Sequence, residues 1–88
     1  MIEAEFIVKN RLGLHARPAA MLVQLAAKFR SEIKVAKGDV EVNGKSVMGL
    51  MMLAAECGSR VRITAEGADE KKAVDEIGRL FDKKFDEE

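Results

Sequence analysis

Apolar and polar residues alternate over residues 2–8, with Ile2, Ala4, Phe6 and Val8 on one side and Glu3, Glu5 and Ile7 on the other. A period of two sends alternate side chains to opposite faces, so this stretch predicts a half-buried strand. From residue 16 the period lengthens. Apolar residues at 19, 22, 23, 26 and 29 mark one face of a helix running from about 16 to 29. Ile33-Lys34-Val35 and Val40-Glu41-Val42 alternate again about Gly38-Asp39, the signature of a hairpin. Asn43-Gly44 turns the chain into a short apolar helix over about 47–54, and Val61, Ile63 and Ala65 alternate with Arg60, Arg62 and Thr64 in a strand that ends at Gly67. Asp69 is a suitable N-cap for a last helix whose Ala73, Val74, Ile77, Leu80, Phe81 and Phe85 repeat at three and four.

The order β-α-β-β-α-β-α, with one polar face per strand and one apolar face per helix, implies an α+β open-faced sandwich: a single sheet covered by helices on one side. A chain of 88 residues with 48% hydrophobic content suits one domain over residues 1–88. Met1-Ile2-Glu3-Ala4-Glu5 carries acids where a signal peptide needs a basic and then an apolar region, and no apolar run reaches spanning length. Cys57 is the single cysteine, so no internal disulfide can form. The expectation is a cytoplasmic protein without membrane insertion, acting as a monomer and without a cofactor. With one His and one Cys, no metal site is expected either.

Charge changes the picture modestly. Residues 1–48 hold eight Lys/Arg against five Asp/Glu, and residues 49–88 hold seven against ten, so a balanced chain divides into halves of +3 and −3. The basic excess accompanies the only histidine and would steer an acidic docking partner toward it. It is too small for nucleic acid, and no aromatic residues interleave with basic ones to stack bases.

The candidate chemistry lies in Gly13-Leu14-His15-Ala16-Arg17-Pro18, at the junction of a turn and a helix. Pro18 fits a first helical turn, where its missing N–H costs nothing, and Gly13 supplies the backbone freedom of a tight entry. A helix start offers unpaired N–H groups and a positive dipole end, so an anion carried on the imidazole would meet fixed donors and the guanidinium fork of Arg17. A phosphorylated imidazole is a phosphoramidate with a good leaving group, suited to relay, whereas a phosphoserine ester is inert without a phosphatase. Imidazole also titrates near neutrality, which keeps a nucleophilic neutral form available. No paired carboxylate or second base accompanies it, which argues against a free-standing enzyme.

These residues resemble the active-site signature of the HPr family, the histidine-containing phosphocarriers of the phosphoenolpyruvate-dependent phosphotransferase system. Lys45-Ser46-Val47-Met48-Gly49-Leu50 resembles the family's regulatory-serine segment and Glu66-Gly67-Ala68-Asp69-Glu70 its turn into the last helix, so the resemblance spans essentially the whole chain. It implies four antiparallel strands with three helices, and a carrier that takes a phosphoryl group from enzyme I onto His15 Nδ1 and passes it to an enzyme IIA domain. Arg17 would assist, and the backbone amides of Ala16 and Arg17 would hold the phosphate oxygens. Ala16, Ala20, Gln24, Val47, Met48, Met51 and Met52 would form the face that both partners share.

Ser46, before an apolar run, reads first as an N-cap. In part of the family the matching serine is phosphorylated by an ATP-dependent kinase, which implies HPr kinase/phosphorylase as a further partner and inhibition of transfer from enzyme I. Met48, Met51 and Met52 crowd one short helix that cannot bury every side, so at least one or two should be exposed as an adaptable docking surface. Residues 80–88 and Asn10-Arg11-Leu12-Gly13 look closer to NPr, the paralogue of the nitrogen branch, and residues 45–49 closer to HPr of the sugar branch. A regulatory binding module of the same fold, docking on a transcriptional regulator or kinase, is the alternative reading.

Overall fold

In the computed structural model residues 1–87 are described, so Glu88, the end of the 80–88 stretch, lies outside the described residues. Four strands, β1 (Ile2–Ile7), β2 (Glu32–Lys37), β3 (Val40–Asn43) and β4 (Arg60–Glu66), alternate with three helices, α1 (Ala16–Ala26), α2 (Val47–Met52) and α3 (Glu70–Asp82). The sheet is antiparallel throughout with spatial order β1-β4-β2-β3.

The alternation of each strand sets which row faces the helices. Ala4 pairs with Ile63, Ile63 with Val35 and Val35 with Val42, which makes one apolar row across the sheet. On the opposite face Glu5 pairs with Arg62, Arg62 with Ala36 and Ala36 with Glu41. Against the apolar row pack Ala19, Leu22 and Ala26 of α1, Leu50 of α2, and Ala73, Ile77 and Phe81 of α3, all buried. Phe6 of β1 stacks on Phe81 with ring centroids 5.5 Å apart, and the open side of Gly78 admits that ring: a Cβ there would come within 2.8 Å of it.

The helices are shorter than periodicity alone predicts. α1 ends at Ala26 because Lys28 and Phe29 donate to carbonyls three residues back, a tighter turn that swings Phe29 into the core from outside the helix. α2 likewise ends at Met52, with Leu53 buried just beyond it. Asp69 occupies the N-cap position of α3, but its side chain does not cap that helix. It accepts instead from the N–H groups of Arg30 and Ser31 and from Ser31 Oγ, tying the α1–β2 connection to the start of α3. Those bonds hold the Asp69 carboxyl at about 2, with the Ser31 hydroxyl the main cause and the Arg30 N–H next.

α3 does not carry its period through to Phe85 as expected. Lys84, Phe85 and Asp86 form a turn with φ of 56, 54 and 61°, in the left-handed region that costs side-chain-bearing residues energy. Phe85 is fully buried in that turn and meets Phe81 edge-on at 5.0 Å, an apolar contact that offsets the backbone cost.

Candidate functional site

Two loops zip together to form the platform beneath His15. Val8 N–H donates to Ser59 and Gly58 N–H to Val8, while Leu14 N–H donates to Ala55 at 2.8 Å. Gly13, at φ 73°, lies so close to the Ala55 carbonyl oxygen that no Cβ could be placed there. The sequence requirement for glycine is therefore both conformational and steric. Buried Leu14 then anchors the next residue at the helix entrance.

His15 is the N-cap of α1, with extended backbone (φ −80°, ψ −170°), and its carbonyl accepts the first helical bond from Ala19 at 3.0 Å. Its side chain makes no capping bond, which leaves the ring available for other chemistry. Ala16 and Arg17 are the first two helical residues, whose N–H groups have no partner within the helix, and Pro18 has no N–H to pair. The helix start expected from the sequence is thus present with its unpaired N–H groups, beside an imidazole whose side chain is 37% exposed and an arginine 57% exposed.

One carboxylate joins this site that the sequence reading did not single out. Glu87 Oε2 lies 3.0 Å from His15 Nε2 and 3.4 Å from Arg17 Nη1. Its Oε1 accepts from Asn10 Nδ2 at 3.3 Å, and the same Nδ2 donates to the Gly13 carbonyl at 2.6 Å. Asn10 is fully buried beneath the histidine loop. Glu87 stands 72 residues from His15, so no local pattern could reveal the contact.

One side of the ring faces a shallow, largely apolar surface. A hollow of about 260 Å³ beside His15 is lined by Leu12, Leu14, Met51 and Ala55, with Glu56 as the one acidic residue. Met48, Met51 and Met52 are 73, 44 and 75% exposed, so all three face solvent while Leu50 is the one fully buried residue of the helix. Ala16 and Gln24 are exposed and Ala20 half-buried, whereas Val47 is half-buried and packs against the core. A larger hollow of about 420 Å³ lies along α3 among Lys71, Lys72, Asp75 and Glu76. It is lined by charged side chains with no histidine or cysteine among them, so chemistry rather than concavity identifies the site.

Ser46 is the N-cap of α2, its Oγ accepting from the Gly49 N–H at 3.1 Å, as the capping pattern predicts. The adjacent Lys45 reaches back to the Phe29 carbonyl at 2.8 Å and so fixes this loop against the end of α1.

Comparison with known proteins places the whole chain in one family. A family model described as the PTS HPr component phosphorylation site matches residues 2–83. A phosphocarrier protein HPr from Treponema pallidum is 51% identical over 81 residues, covering 92% of either chain. A phosphocarrier protein NPr from Proteus mirabilis is 45% identical, covering 92% of this chain and 91% of its own. The solved structure of an HPr from Thermoanaerobacter tengcongensis superposes with a TM-score of 0.96 at 48% identity, covering 100% of this chain and 99% of that one. Some solved relatives are described as dimers. The family match over residues 2–83, the identity to these relatives and the near-complete superposition show that the chain belongs to the HPr family of phosphocarrier proteins of the phosphotransferase system.

Proposed function

We propose that the chain carries its phosphoryl group on His15, taking it from phosphorylated enzyme I and passing it to an enzyme IIA domain. The observation that carries this reading is the junction itself: a half-exposed imidazole at the head of an 11-residue helix whose first two N–H groups are free of helical partners. Arg17 offers its fork to the phosphoryl oxygens, and the amides of Ala16 and Arg17 complete the cradle. Shallowness supports a protein partner over a small molecule, since nothing beside the ring encloses a ligand. Ala16, Ala20, Gln24, Met48, Met51 and Met52 supply the docking face, with Val47 backing it from the core side. The chain acts as a monomer, in the cytoplasm with its relay partners.

Intact-mass measurement after incubation with phosphoenolpyruvate and a sugar-branch or nitrogen-branch enzyme I tests this. Wild type should gain one acid-labile phosphoryl group and His15→Ala none, while the enzyme I that loads it faster names the branch. A gain by His15→Ala equal to wild type would remove His15 from the role.

A second, regulatory reading rests on Ser46. Phosphorylation there by HPr kinase/phosphorylase would place about two negative charges at the head of the helix that bears the three methionines. It would disfavour docking on enzyme I and favour a transcriptional regulator. Kinase and ATP should add one phosphoryl group to wild type and none to Ser46→Ala; addition to both, or to neither, would remove this reading.

A further inference from the structure

We infer that Glu87 is a positioning residue for phosphoryl transfer, holding the proton of His15 on Nε2 so that Nδ1 presents the lone pair. This rests on the reading of His15 as the phosphoryl carrier. An ionised carboxylate only accepts hydrogen bonds, so the 3.0 Å contact with Glu87 Oε2 requires that Nε2 be the protonated nitrogen. In the neutral ring the lone pair then belongs to Nδ1, which has no hydrogen-bond partner among the described residues.

Glu87 is held for this role from several directions. Its side chain is only 17% exposed, Asn10 donates to its second oxygen from a fully buried position, and Arg17 reaches the same oxygen that His15 does. The backbone delivers it through the left-handed turn at 84–86, pinned by buried Phe85. Orienting a histidine through a carboxylate on its far nitrogen is a general means of fixing both tautomer and ring angle.

The transfer balances without any proton movement. The Nδ1 lone pair forms the N–P bond, the bond from phosphorus to the donor atom of phosphorylated enzyme I breaks, and its electron pair stays with that donor atom. Nε2 keeps its proton, so the His15 ring becomes cationic next to the Glu87 carboxylate, which offsets that charge. On delivery to the acceptor the N–P pair returns to Nδ1 and the ring is again neutral with Nε2–H.

Ring nitrogen NMR of the full chain and the loading rate by enzyme I and phosphoenolpyruvate, measured on wild type, Glu87→Gln and Glu87→Ala, test the inference. Wild type should show a slowly exchanging His15 Nε2–H. Glu87→Ala should lose that signal and load about 10-fold more slowly. Glu87→Gln, whose amide oxygen still accepts, should keep the signal and load at an intermediate rate. Loading of Glu87→Ala at the wild-type rate with unchanged ring signals would overturn the role of Glu87 and leave His15 as carrier. A wild-type chain that takes no phosphoryl group would overturn the carrier reading itself.

Discussion

At the scale of single residues, the same side-chain types serve different ends according to what the fold brings to them. Asp69 was legible as a helix N-cap, but its carboxylate is spent on Arg30 and Ser31, which lie 39 and 38 residues away. Because the folded carboxyl is held at about 2, below its ordinary value of 3.8, its contribution to stability is complete above about 4 and is lost as pH falls toward 2. Asp69→Asn has no such proton to take up. The gap in Tm between wild type and Asp69→Asn should therefore narrow as pH is lowered from 4 to 2 in thermal unfolding; a gap that stays constant would show that the carboxylate is not linked to folding. His15 makes the opposite case. Its side chain caps nothing, so His15→Ala should unfold cooperatively close to the wild-type temperature while losing the phosphoryl group.

At the scale of elements, α2 shows how a six-residue helix can serve both core and surface. Leu50 and the following Leu53 point inward, and the three methionines take the remaining sides. So short a helix has little stability of its own and depends on packing and on its cap. Ser46→Ala removes the bond to the Gly49 N–H and should lower stability by about 1 kcal/mol in denaturant unfolding. An unchanged midpoint would mean that water replaces the cap at no cost. Element boundaries were the least legible part of the sequence. Phe29 keeps the helical period of α1 yet is buried from a tighter turn, and Phe85 keeps that of α3 yet is buried from a left-handed one. In both cases periodicity identified the buried residue correctly and its backbone incorrectly, because burial constrains the side chain and several backbones can deliver it.

At the scale of the molecule, the exposed methionines of α2 and His15 lie on one side because the α2–β4 loop zips onto the loop that precedes His15. Met51 is one of these methionines and not part of the core, so Met51→Glu should leave the unfolding midpoint within about 0.5 kcal/mol of wild type. It should slow loading by enzyme I about 10-fold, a loss of about 1.4 kcal/mol at the docking step. Equal loading rates for the two proteins would remove Met51 from the docking face. Dispersal of the proposed face over α1 and α2 also explains why no contiguous motif encodes it.

Local patterns in the sequence determined the strands, the helices, the β2–β3 hairpin, the inward face of each element and the histidine junction. Each of these rests on interactions between residues a few positions apart: the two-residue pleat, the 3.6-residue turn, the fixed φ of Pro18 and the freedom of Gly13. Tertiary structure alone decided that β4 enters between β1 and β2, that Asp69 serves a neighbouring loop, and that Glu87 reaches His15 across 72 residues. Those outcomes depend on which apolar faces close on one another. That choice is made by the packing of the whole core, and no short window of the chain contains it.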